Sequence, residues 1–184
     1  MASLHVRQIK RSRQCGAASV EFALIAIVFF TVFLGIVEFG RFLYVLNTVQ
    51  EVTRNAARMQ VVRWVTATDA VQREAVFQSG TSGEVSLPAG PEVTNAKILI
   101  SFYNTYTDAL NQTNKLTLSG KTPADNLNNC LLANDQCIRF VRASFTDAQG
   151  NSDLQYVPLM PLFSYLSISL PGSTVIMPAE SMGL

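Results

Sequence analysis

Residues 17–37 contain one charged side chain, Glu21, and no proline. At about 1.5 Å of rise per residue, a helix over this stretch is about 30 Å long, the thickness of one hydrocarbon core. The stretch reads as a single transmembrane helix. Glu21 is its anomaly. A charge at the centre of a membrane helix costs about 2.5–3.5 kcal/mol, less toward the ends. A carboxylate four residues after Ala17, itself preceded by Gly16, needs a reason.

Arg7, Lys10, Arg11 and Arg13 precede Gly16 with no acidic residue among them. Basic flanks stay cytoplasmic, so the N-terminus is expected inside and residues beyond 40 translocated. An ordinary cleaved signal peptide fits badly, because the apolar core is too long and no small-x-small site closes it. A lipobox needs its cysteine after an apolar core, whereas Cys15 comes before this one. An uncleaved signal anchor predicts the same topology and stays open. Four of the fourteen basic residues lie in this leader, leaving ten against thirteen acidic ones in the remainder. That remainder has no basic patch to suggest nucleic acid.

Beyond the span, Phe42, Val45, Val49, Val52, Ala56 and Met59 recur at alternating steps of three and four, a heptad-like apolar stripe. One helix is therefore expected over residues 17–65, about 70 Å long. The stripe can pack on the chain's own C-terminal part or on neighbouring helices; the outer half suits the first better. Glu38 with Arg41, and Glu51 with Arg54, have i,i+3 spacing. Gly35 and Gly40 each cost about 1 kcal/mol relative to Ala, consistent with close helix approach or with a loosened turn.

Residues 69–78 read as a second, shorter helix, capped by Thr68 or Asp69 and followed by Gly80. Residues 81–95, with Pro88, Gly90 and Pro91, read as loop. Ile98, Ile100 and Phe102 alternate as a strand does. Residues 104–129 are polar, with 116–118 a short edge strand; 138–145 form a second firm strand. Residues 157–163 make an apolar turn, and 167–177 are strand material broken at Pro171-Gly172. The expected fold is α+β: a long N-terminal helix, a short second helix and a small, mostly antiparallel sheet of three or four strands. The expected division is leader 1–16, membrane helix 17–40, helical extension 41–66 and a small α+β domain 67–184.

Arg13-Gln14-Cys15-Gly16, followed by Ala17-Ala18-Ser19-Val20-Glu21-Phe22, resembles the processing site of type IV prepilin-like proteins. More narrowly, it resembles the TadE-like pseudopilins of tight-adherence (Flp) pilus systems. Gly35-Ile36-Val37-Glu38-Phe39-Gly40-Arg41 and Asn55-Ala56-Ala57-Arg58 are similar to further motifs of that family. The resemblance covers about a quarter of the chain; Phe22 stands where the Flp-type site usually has Tyr. It implies cleavage between Gly16 and Ala17 by a membrane-embedded prepilin peptidase, and Glu21 as an assembly carboxylate. It also implies partners among pilin and pseudopilin subunits and an assembly platform in the bacterial inner membrane. The closing segment, ending near Glu180, resembles the same family only weakly.

Cys130 and Cys137 lie beyond the span with six residues between them. In an oxidising compartment the default is a disulfide, with free thiols the alternative. A metal site would need further Cys or His ligands, and the only histidine is His5, in the leader. No Ser-His or Cys-His couple is available beyond Gly16. Asp147, Gly150, Asn151 and Asp153 fit a turn better than a calcium loop. Neither a cofactor nor a catalytic site is expected.

Overall fold

A computed structural model describes residues 15–79, 82–146, 154–165, 168–179 and Met182. Residues 1–14 of the leader with His5, Gly80, the segment 147–153 read as a turn, Ser167 and Glu180 lie outside them. The chain falls into two compact units, Met1–Phe39 and Gly40–Leu184.

Helix α1 runs from Cys15 to Gln60, unbroken at both Gly35 and Gly40. An added Cβ at Gly40 would meet nothing within 4 Å. Within the first unit the apolar side chains are uncovered; Phe22, Val28 and Ile36 are 74, 65 and 67% exposed. This helix is long and apolar enough to cross a membrane. Its Thr31 turns its hydroxyl back onto the Ile27 carbonyl at 2.7 Å, satisfying a polar group inside an apolar run.

In the second unit the stripe on α1 is a core seam. Val45, Val49, Val52 and Ala56 are at most 2% exposed, and Phe42 and Met59 pack beside them. Glu51 and Arg54 lie exposed and, among the described residues, form no ion pair. The helix stops at Gln60, short of residue 65. The Gln60 amide donates to the carbonyl of Arg63 at 3.0 Å, and Trp64 takes an extended conformation that ends the helix.

Helix α2 (Thr68–Ala75) follows a single tight turn at Val65–Ala67. Neither expected cap acts there: Ala67 holds the cap position, and the Thr68 hydroxyl donates to the Val65 carbonyl at 2.7 Å. Val71 and Ala75 are buried and Val76 follows them into the core.

The segment read as loop holds a hairpin, β1 (Ser86–Leu87) with β2 (Gly90–Thr94). Its turn places Ala89 at φ +60°. Gly90 lies against α1: a Cβ there would stand 3.1 Å from Leu87 Cδ2 and 3.5 Å from Val45 Cγ2. Close approach of hairpin and helix therefore depends on a residue without a side chain.

The central sheet is antiparallel, ordered β3 (Ile98–Tyr103), β4 (Phe140–Phe145), β7 (Ser173–Pro178). Its register runs Ile98 opposite Phe145, and Phe145 opposite Ser173. Ile98, Ile100, Val141, Ala143 and Phe145 enter the same core as the α1 seam. A second pair, β5 (Leu154–Tyr156) with β6 (Ile168–Leu170), lies before β7, and the break at Pro171-Gly172 falls between β6 and β7.

Residues 104–129 contain two helices the sequence reading did not assign, α3 (Tyr106–Asn111) and α4 (Pro123–Leu131). Residues 116–118 are not a strand. They run extended beside β3, where the Leu116 amide donates to the Phe102 carbonyl at 2.9 Å. The fold is α+β, as expected, with more short helices and its strands divided among three antiparallel sheets.

Candidate processing segment and the arginine clamp

Gly16, Ala17, Glu21 and Phe22 occupy the first turns of α1. Ala17 and Glu21 are one helical turn apart, at i and i+4, and so share a face. Glu21 is exposed and has no hydrogen-bond or ion-pair partner among the described residues. Phe22 is 74% exposed. A Cβ added at Gly16 would meet no atom within 4 Å. Glycine in a helix costs about 1 kcal/mol relative to alanine, and nothing in the packing of the described residues requires it there.

Arg41, read from the sequence as a motif residue and as an i,i+3 neighbour of Glu38, bonds to at least five oxygens. It is the only basic residue in positions 14–53. Its Nη2 pairs with both Glu92 carboxylate oxygens, at 3.0 and 2.8 Å. Nη1 donates to the Tyr156 hydroxyl and to the Val157 carbonyl, each at 2.8 Å, while Nε donates to the Ala89 carbonyl at 2.9 Å. The guanidinium carbon stands 4.9 Å from the centroid of the Tyr156 ring, which packs edge-on against Phe42. One cation thereby fastens α1 to the β1–β2 hairpin and to β5. The pair is desolvated, with the Arg41 and Glu92 side chains 10% and 1% exposed. A charge-assisted guanidinium–carboxylate contact is among the stronger polar interactions, provided both partners stay. The lone cation among apolar residues was the available signal; Glu92 gave none, lying between Pro91 and Val93 in a segment that reads as loop.

Cys130, in α4, and Cys137 have Cα atoms 4.7 Å apart, within reach of a disulfide. The loop they close lies behind a well-capped helix. The Thr122 hydroxyl accepts from the Asp125 amide, Asp125 accepts from the Thr122 amide at 2.8 Å, and Pro123 opens the first turn. Those hydrogen bonds from Thr122, backbone first, hold the Asp125 carboxyl below the ordinary aspartate value. Asp108 likewise accepts from Thr105, Asn114 and Thr113, which lower its carboxyl. A polar groove of about 630 Å³ opens there, between Asp108, Lys115 and Gln136. No group of three or more metal-ligating side chains occurs among the described residues.

Comparison with curated proteins and with solved structures found no match. A family model does match, over residues 16–58, which include Gly16, Glu21, Arg41 and most of the buried seam. That model describes the TadE-like proteins, a pilus-associated structural family, and the chain is similar to it over this N-terminal segment, about a quarter of its length.

Proposed function

We propose that this chain is a minor pilin-like structural protein, a pseudopilin of a tight-adherence (Flp) pilus. It is inserted in the bacterial inner membrane with its N-terminus cytoplasmic and residues beyond 40 periplasmic. A prepilin peptidase cuts between Gly16 and Ala17. Glu21 then pairs with the new Ala17 amine of a neighbouring subunit. Pairing offsets the cost of burying a lone carboxylate and fixes axial register. Its partners are the peptidase, other pilin and pseudopilin subunits and the inner-membrane assembly platform. Cys130 and Cys137 are oxidised in the periplasm.

The observation that carries this reading is a pair of residues without a partner among the described residues. A Cβ at Gly16 would meet nothing within 4 Å and Glu21 bonds to nothing described, yet both lie in the segment matched by the TadE-like model. The test is the intact mass and N-terminal sequence of the protein expressed with and without a prepilin peptidase. A chain beginning at Ala17 only in the presence of the peptidase is expected. Retention of Met1 or Ala2 in both cases refutes processing and leaves an uncleaved, membrane-anchored periplasmic interaction protein.

A further inference from the structure

From residue 154 to residue 179 the chain has no charged side chain at all. Within that run Tyr156 and Leu170 enter the core and β7 is half-buried at most, while much of the 157–165 loop is exposed. Val157, Leu159 and Tyr165 are 56, 68 and 76% exposed. The loop is tied at its start to Arg41, through the Val157 carbonyl at 2.8 Å. The 88–89 turn is tied to the same turn of helix, through Ala89 to Arg41 and through the Pro88 carbonyl to the Tyr44 hydroxyl at 3.1 Å. Pro88 and Ala89 are exposed as well.

We propose that the 157–165 loop, with the 88–89 turn beside it, forms a lipid-facing collar lying in the headgroup region of the bilayer from which α1 emerges. The inference rests on the reading of residues 17–40 as a membrane span. Covalent continuity supplies the height: Arg41 is the next residue of the same helix, and both apolar segments hang from it or from Tyr44, one turn on. Electrostatics supplies the permission. Residues 157–165 and 88–89 contain no charged side chain, and Arg41 beside them is paired with Glu92 and shielded. Composition supplies the partner, since tyrosine with short aliphatic side chains suits the region between headgroups and acyl chains. The other exposed apolar pair, Leu131 and Leu132, has a different setting: it lies in a segment with Asp125 and Asp135 and is not tied to Arg41.

The test uses the full-length protein with Trp64, its only tryptophan, changed to Phe. A single reporter is placed by Phe30→Trp, Tyr165→Trp or Leu132→Trp. Single copies in nanodiscs are compared in ordinary lipid, in lipid brominated near the headgroup end of the acyl chains and, for Phe30→Trp, in lipid brominated near the chain ends. Loss of emission is expected for Phe30→Trp and Tyr165→Trp but not for Leu132→Trp; Leu159→Trp repeats the collar position if Tyr165→Trp misfolds. An unquenched Phe30→Trp refutes the span and the collar with it. A quenched Phe30→Trp with Tyr165→Trp and Leu159→Trp as unaffected as Leu132→Trp refutes the collar alone. Quenching of all reporters means indiscriminate adsorption, and shielding of Tyr165→Trp only when several copies share a disc means a protein neighbour; either overturns the proposal.

Discussion

Replacing Arg41 by methionine keeps most of the side chain's apolar length and deletes its charge. Glu92, 1% exposed, is then left as a buried carboxylate without its cation. Breaking a buried pair in this way costs about 3–5 kcal/mol. Arg41→Met should therefore lose about 3–5 kcal/mol, a large share of the roughly 5–15 kcal/mol typical of a folded domain. Trp64, half-buried where α1 ends, reports unfolding in urea with the protein held in nonionic detergent. With a slope of about 2 kcal/mol per molar, the midpoint should fall by about 1.5–2.5 M at pH 7. Adding Glu92→Met should restore most of that loss. A midpoint shift below about 0.5 M at pH 7, or a double variant no more stable than Arg41→Met, would refute the clamp as described.

Glu21→Ala should insert in the membrane normally and be processed after Gly16, but enter pilus assemblies poorly in sheared-filament fractions. Normal incorporation would remove the assembly role from this carboxylate. Cys130→Ser should lower stability by about 2–3 kcal/mol, the chain-entropy value for so short a loop, and reducing agent should then have no further effect on its urea midpoint. An unchanged midpoint would mean that the two cysteines are thiols in the isolated protein. Asp108 has its carboxyl lowered by three side-chain donors. Its contribution should be complete above the ordinary aspartate value and lost as pH falls through the depressed one, so Asp108→Asn should flatten the acid limb of the stability profile. An acid limb identical to that of the parent protein would count against those hydrogen bonds.

What the sequence disclosed depended on how far apart the cooperating residues lie. The α1 seam, from Val45 to Ala56, repeats within one helix and is legible from its period alone. Strands β3 and β4 were legible because Ile98, Ile100 and Phe102, like Val141, Ala143 and Phe145, alternate on one face. The turn at Pro171-Gly172 announced itself in two residues. Helix α4 was missed although Thr122, Pro123 and Asp125 form a complete start signal, because the asparagines that follow favour loops on average. Helix α3, at Tyr106–Asn111, is too short for any period to emerge. The β1–β2 hairpin was hidden by Pro88, Gly90 and Pro91, residues that read as loop but here shape a turn and a close approach to Val45. The clamp was illegible in principle from local pattern. Glu92 and Tyr156 stand 51 and 115 residues from Arg41, and only the fold brings them together. The candidate processing segment presents the opposite case: Glu21 was conspicuous as the lone charge in an apolar run, five residues after Gly16, a pattern local enough to read without the fold.

The burial of the α1 seam decides where this protein can be cut for study. A fragment beginning at residue 67 has an attractive polar composition, but it lacks Val45, Val49, Val52 and Ala56. The face of the sheet that these residues cover would be bare, and the fragment should be recovered from inclusion bodies. Starting at residue 48 restores part of the seam yet omits Arg41 and leaves Glu92 stranded. A fragment starting at Gly40 retains the clamp and the seam while discarding the apolar run before it, and is the shortest version expected to crystallise as a folded unit.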